Sequence, residues 1–88
     1  MEDYALKYRL SGNLETTITG KYLYTLLSDL AGSRGRIQLP IKRISEMLKI
    51  SSTAVRKNLH RLENKGYIKI RPVYESDGTR KANLYIIN

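Results

Sequence analysis

The chain has 88 residues, 41% of them hydrophobic, no cysteine and a formal net charge of +8. That length supports one core, burying about 60 to 65% of the unfolded chain's surface, and leaves no room for a separate effector domain; the lack of cysteine excludes disulfides and thiolate metal sites and suits a reducing cytoplasm. The apolar runs are far shorter than the roughly 20 residues that span a bilayer, and Met1-Glu2-Asp3 is acidic where a secretion signal is basic, so the expectation is a soluble cytoplasmic protein with no membrane contact.

One domain over 1–88 is expected, with an N-terminal strand and turn at 1–16, a helical core at 17–66 and a hairpin at 67–88. Apolar residues alternate at Tyr4, Leu6, Tyr8 and Leu10, which predicts a half-buried strand closed by a turn at Ser11-Gly12-Asn13. From about Ile18 the period becomes helical through Tyr22, Leu23, Leu26, Leu27 and Leu30. Thr17 or Thr19 can cap this first helix, and Gly32 can supply a left-handed residue after Ala31.

Arg36-Ile37-Gln38-Leu39 predicts a short strand, and Pro40 fits the first turn of a second helix, whose stripe is Ile41, Ile44, Met47 and Leu48. Ile50 is the inward residue of the tight turn that follows. Ser51 can cap a third helix with Val55, Leu59 and Leu62 on its apolar face and Gly66 as its stop. Tyr67 to Arg71 and Ala82 to Ile87 alternate as two strands of a hairpin. Between them a polar stretch, Glu75 to Arg80, contains the turn pair Asp77-Gly78. Pro72 cannot donate to a strand ladder, which places it at a bulge or a strand end.

The positive charge is concentrated. Residues 33–71 carry eleven Lys or Arg against Glu46 and Glu63, a net +9, and the remainder of the chain sums to −1. A merely solvated face usually mixes both signs, so a polyanion is the partner such a stretch fits. On a wheel at about 100° per residue, the pole of the third helix opposite Val55, Leu59 and Leu62 holds Thr53, Lys57, His60 and Asn64, flanked by Arg56 and Arg61, with no acid among them. Those are donors suited to base edges and phosphates. Lys42 and Arg43 fall in the first turn of the second helix, where the macrodipole disfavours cations, so a phosphate lying across that terminus would compensate them. The alternative is that both side chains bend into water.

The run Ile44-Ser45-Glu46-Met47-Leu48-Lys49-Ile50-Ser51-Ser52-Thr53-Ala54-Val55-Arg56-Lys57-Asn58-Leu59-His60-Arg61-Leu62-Glu63-Asn64-Lys65-Gly66-Tyr67-Ile68 resembles the helix-turn-helix core and wing start of bacterial winged-helix proteins. The likeness extends over about Ile37 to Ile87. The helix around Lys21-Tyr22-Leu23-Tyr24 is also similar to the first helix of DNA-binding domains in plasmid and phage replication proteins and small regulators. The resemblance implies an α+β winged helix-turn-helix fold, three helices and a C-terminal hairpin, in a nucleoid-associated bacterial protein. It makes the third helix the recognition helix, with Ser52, Thr53, Arg56, Lys57 and His60 at base-edge and phosphate positions. Arg80 and Lys81 inherit the wing, where an arginine commonly enters the minor groove. Lys49 departs from the pattern, which often has glycine in this turn, because lysine at positive φ is strained.

Catalysis lacks parts: His60 is the lone histidine, and no phosphate loop, metal-ligand pair or nucleophile motif is present. No enzyme activity, cofactor or metal is expected. His60 is either a donor on the recognition face or an exposed residue without a role. The leading expectation is sequence-specific binding to double-stranded DNA, as a transcription regulator or the DNA-reading domain of a replication initiator. The alternative is a winged-helix protein-interaction module within a larger nucleoprotein assembly, for which exposed apolar residues on the third helix would be expected. A weaker reading is single-stranded or RNA binding with Tyr67, Tyr74 or Tyr85 as stacking platforms. With Asn88 directly after the last strand, a homodimer is expected to use the N-terminal strand or the first helix.

Overall fold

The computed structural model describes residues 14–88. The strand expected over Tyr4–Leu10, its turn at Ser11-Gly12-Asn13 and the dimer contact ascribed to that strand lie outside the described residues.

Thr17 sets the start of helix α1, Ile18–Ala31, because its hydroxyl accepts the Gly20 N–H at 3.1 Å and satisfies one of the unpaired donors of the first turn. The inward stripe is Gly20, Leu23, Leu27 and Ala31. The broader stripe expected from sequence is corrected here: Leu23 and Leu27 are fully buried, whereas Tyr22 is 61% and Leu30 40% exposed. Two leucine ridges one residue apart compete on this helix. The ridge flanked by the small residues Gly20 and Ala31 wins, since they let neighbouring elements approach closely.

Gly32 ends α1 at φ 59, ψ −147, a conformation reached without strain only by glycine, so it is not the left-handed residue expected there. A 3₁₀ turn, Gly32–Arg34, follows, and the left-handed residue is Gly35 at φ 68, ψ 16. The chain then enters β1, Arg36–Gln38, one residue shorter than expected.

Helix α2, Ile41–Leu48, has Pro40 as its N-cap and Ile44 as its buried residue. Met47, expected on the inward stripe, is 43% exposed. Lys49 closes α2 in the left-handed region at φ 56, ψ 44, with its N–H on Ser45 O. Ile50 N–H also donates to Ser45 O at 3.1 Å, and Ser51 then caps the third helix by accepting the Ala54 N–H at 3.0 Å. Helix α3, Ser52–Asn64, buries Val55, Asn58, Leu59 and Leu62. It ends in paired bonds, Gly66 N–H to Glu63 O and Tyr67 N–H to Leu62 O, with Gly66 at φ 80.

Strands β2, Ile68–Tyr74, and β3, Arg80–Ile87, form the hairpin, and the sheet order is β1-β3-β2, all antiparallel. The ladder shifts register between Arg71 and Val73, which puts the bulge at Pro72 as its missing N–H demands. Both strands run further toward the turn than the alternation suggested, so Arg80 and Lys81 lie on β3 and the loop shrinks to Glu75–Thr79. The rung Ile37, Tyr85, Ile70 faces inward, where α1 and α3 pack on the sheet. Leu23, Leu27, Ile44, Val55, Leu59, Leu62, Ile68 and Tyr85 make the core. No helix among the described residues is long and apolar enough to cross a membrane.

Lys49 costs the turn stability, since a non-glycine side chain in the left-handed region is penalised by roughly 1–2 kcal/mol. Lys49→Gly removes that penalty and returns part of it as unfolded-chain entropy. A net gain of about 1 kcal/mol is expected, which in thermal unfolding appears as a midpoint about 4–8 °C higher. A lower midpoint would mean that the Lys49 side chain contributes contacts that outweigh the strain.

Candidate nucleic-acid interface

Three elements converge on one side of the molecule: the N-terminus of α2, the outer face of α3 and the first residues of β3. On α3, Thr53, Arg56, Lys57, His60, Arg61 and Asn64 are exposed and Ser52 is half-buried. The burial of Val55, Leu59 and Leu62 fixes this orientation. Arg56, Lys57, His60 and Arg61 have no carboxylate partner among the described residues.

At α2, Lys42 and Arg43 are exposed in a first turn that holds no acid. Pro40 offers no capping side chain, so the N–H groups of Ile41 and Lys42 lack an acceptor among the described residues, while Arg43 N–H reaches Pro40 O at 3.0 Å. The terminus therefore presents free donors, the positive end of the helix dipole and two cations in one place. Nothing among the described residues compensates them.

The hairpin brings Arg80 and Lys81 to the same side, but not in the manner expected of a wing tip. Its tip is Ser76-Asp77-Gly78, where Gly78 takes φ 89 and Asp77 Oδ1 accepts the Thr79 N–H at 2.9 Å, a bond that holds the Asp77 carboxyl below its usual range. Arg80 folds back along β3 and donates to Asn83 Oδ1 at 3.0 Å. Lys81 stands 3.8 Å from Glu75 Oε1 across the hairpin, both side chains half exposed. The cations lie at the base of the hairpin, and an acid lies at its tip.

Between these elements opens a cleft of 320 Å³, walled by Pro40 and Ile41 at the start of α2, Arg56 on α3, and Arg80, Asn83 and Tyr85 on β3. Tyr85 is fully buried, and its hydroxyl makes no hydrogen bond. Burial pushes its phenol up, while the nearby Asn83 side chain, which falls short of hydrogen-bond geometry, and the charges of Arg80 and Arg56 pull the other way. A buried, unpaired hydroxyl costs about 1–3 kcal/mol. Sequence reasoning named Tyr85 as a possible stacking platform, and nothing in the alternation of β3 distinguishes an inward tyrosine with a partner from one without. Nor can Tyr85 act as an exposed stacking platform. Tyr67 is half-buried edge-on to Tyr24, with centroids 6.4 Å apart, and Tyr74 alone of the three is largely exposed.

The basic stretch does not act as a unit. Arg36 and Lys69 are paired with Ile86, and Arg71 with Leu84, all on the opposite face of the sheet from Tyr85. Those three cations therefore point away from the core side of the sheet. Lys65, at the end of α3, pairs with Glu15 at 3.7 Å.

Among known families, the one described as winged helix-turn-helix DNA-binding matches residues 38–69, from the end of β1 through α2, the turn and α3 into β2. No curated protein and no solved structure matched the chain.

The exposed cations of α2 carry no structural duty in the free protein. Lys42→Ala and Arg43→Ala should leave folding stability unchanged, or raise it by about 0.3–1 kcal/mol as charge leaves the positive end of the dipole. Chemical denaturation measures this, and a loss above about 1 kcal/mol would show that these side chains support the fold.

Proposed function

We propose that the chain is a winged helix-turn-helix domain, the family whose model matches residues 38–69, and that it recognises a specific sequence in duplex DNA as a transcription regulator. The observation that carries this reading is the convergence of donors and cations from three separate elements around one cleft. They are the free N–H groups of α2 with Lys42 and Arg43, the exposed polar face of α3, and Arg80 with Lys81 at the hairpin base. Segments distant in sequence gain nothing within the fold from pooling like charges, whereas a polyanion lying across all three gains from each.

In this reading, Lys42, Arg43, Arg56, Arg61, Arg80 and Lys81 hold phosphates, and Ser52, Thr53, Lys57 and His60 approach base edges in the major groove. Arg56 takes a phosphate role because it lines the cleft with Arg80. Minor-groove insertion of Arg80 loses support, since its guanidinium is drawn back to Asn83 and the hairpin tip carries Asp77. The protein-interaction alternative is disfavoured by the face itself, because α3 exposes Thr53, Lys57, His60 and Asn64 and no large apolar side chain.

Selection from random duplex DNA tests the specific reading. A palindrome would indicate a pair of domains on the site, direct repeats would favour an initiator-like array, and the absence of enrichment would remove the claim of specificity.

Duplex binding should weaken steeply with salt. Neutralising about 4–6 phosphates gives a slope near −4 to −5 in log K against log salt, and a slope near zero would refute the electrostatic reading. Lys57→Ala should cost about 1–3 kcal/mol on the selected site and relax the preference at one base position, while Arg43→Ala lowers affinity alike on every sequence. Equal losses from both substitutions on all sequences would show a charged clamp that reads no bases.

A further inference from the structure

The cleft between the recognition helix and the hairpin has features that a general electrostatic surface does not need. Three cations border it, Arg56, Arg80 and Lys81, and no carboxylate lines it. The N-terminus of α2 opens onto it through Ile41, whose N–H has no acceptor among the described residues. Beside these is the Tyr85 hydroxyl, buried without a partner in hydrogen-bond geometry, on a residue that lines the cleft with Asn83 and Arg80, which are bonded to each other.

We propose that this cleft is a built seat for one phosphate group. Arg56 and Arg80 supply the charge, the start of α2 supplies backbone donors, and the Tyr85 hydroxyl supplies the innermost donor. The Arg80–Asn83 bond acts as the cover: an oxyanion that draws Arg80 onto itself frees Asn83 and brings the hydroxyl into reach. Among the described residues Arg56, the start of α2 and the Tyr85 hydroxyl have no acceptor and Arg80 has only the neutral Asn83, and a tetrahedral oxyanion is an acceptor with enough oxygens to serve all of them at once. Chloride would meet the charge but could not bridge so many donors.

The phosphate has two possible sources. One is the DNA backbone, in which case the seat rests on the proposed duplex reading and fixes how far apart α3 and the hairpin grip the strand. The other is a small phosphorylated ligand, for which 320 Å³ lies at the lower end of the roughly 300–1,000 Å³ of small-molecule sites. Such a ligand would occupy the surface that the duplex needs, so its binding and DNA binding would exclude each other.

Tyr85→Phe separates this seat from a structural role, because it removes a hydroxyl that makes no bond in the fold and preserves the ring. Its thermal midpoint should equal or exceed that of the unmodified protein. Two titrations are then compared at constant ionic strength: inorganic phosphate without DNA, followed by the nuclear magnetic resonance signals of Ile41, Arg56, Arg80 and Tyr85, and duplex DNA without phosphate. Saturable shifts confined to those residues, weakened about 10-fold or more by Tyr85→Phe as for a lost hydrogen bond to a charged group, establish the seat and a free-phosphate source. No saturation by phosphate, with duplex affinity lowered about 10-fold by Tyr85→Phe on every sequence, establishes the seat with a backbone source. Arg80→Gln should follow Tyr85→Phe in whichever titration responds. Shifts spread over all basic residues and indifferent to Tyr85→Phe, or no effect of that variant in either titration, would overturn the proposal. Failure of the unmodified protein to bind duplex DNA would count against the duplex reading alone, since the phosphate titration stands without it.

Discussion

The hydrogen bond from the Thr17 hydroxyl to Asn58 Oδ1, 2.9 Å long, ties the start of α1 to the middle of α3. The same hydroxyl accepts the Gly20 N–H, and the Asn58 amide donates to Ala54 O at 2.8 Å, so each polar atom has a partner where an unpaired one would be costly. Leucine packing alone tolerates sliding and rotation, whereas a buried pair of side chains satisfies its geometry at one register. With Val55, Leu59 and Leu62 buried around it, Asn58 fixes which face of α3 points outward. At the far end, Glu63 accepts the Ile70 N–H at 2.8 Å and links the helix to the first hairpin strand. The outward face of α3, the cleft and the hairpin base are placed relative to one another through these two links.

Local costs cluster on the side that α3 presents. Lys49 occupies a left-handed conformation, Pro40 leaves the start of α2 uncapped, Lys42 and Arg43 sit at the wrong end of a helix dipole, and Tyr85 buries an unpaired hydroxyl. Apart from the Thr16 hydroxyl, buried without a partner just before α1, the remainder of the described chain follows local rules, with side-chain caps at Thr17 and Ser51, a glycine stop at Gly66 and a proline confined to a bulge. A fold that obeys local preferences in most places and departs from them on one surface directs attention to that surface. Three of them share one chemistry: the start of α2, its two cations and the Tyr85 hydroxyl each leave a donor or a positive charge without an acceptor among the described residues.

The sequence was legible where structure is set by neighbours along the chain. The Ser51 cap, the Gly66 stop, the Pro72 bulge and the outward face of α3 follow from residue type and helical period. The inward ridge of α1 did not, because Tyr22 and Leu30 fit a helical stripe as well as Leu23 and Leu27 do, and the choice depends on which elements dock there. Asn58 reads as a polar surface residue until Thr17, 41 positions earlier, is placed beside it. The division of the basic stretch, with Arg36, Lys69 and Arg71 turned to the outer sheet face, is a matter of strand register. That register is fixed by pairing with β3, which lies outside the stretch.

The location of the cations bears on which part of the domain can discriminate between sequences. Phosphates recur identically along any duplex, so in the proposed complex Lys42, Arg43, Arg56 and Arg80 would hold the protein at a fixed depth and angle without preferring a base. A wing that read the minor groove would carry its arginine at the tip, yet here the tip holds Asp77, whose carboxylate is kept ionised by its own backbone bond, and would be repelled by the closely spaced phosphates of a narrow groove. In the proposed complex the hairpin is therefore a lateral grip, and sequence discrimination falls to the exposed donors and acceptors of α3, Thr53, Lys57, His60 and Asn64. The stiffness of α3's attachment through Thr17 and Glu63 then becomes a requirement for specificity, since base edges are distinguished only by donors held in register with them.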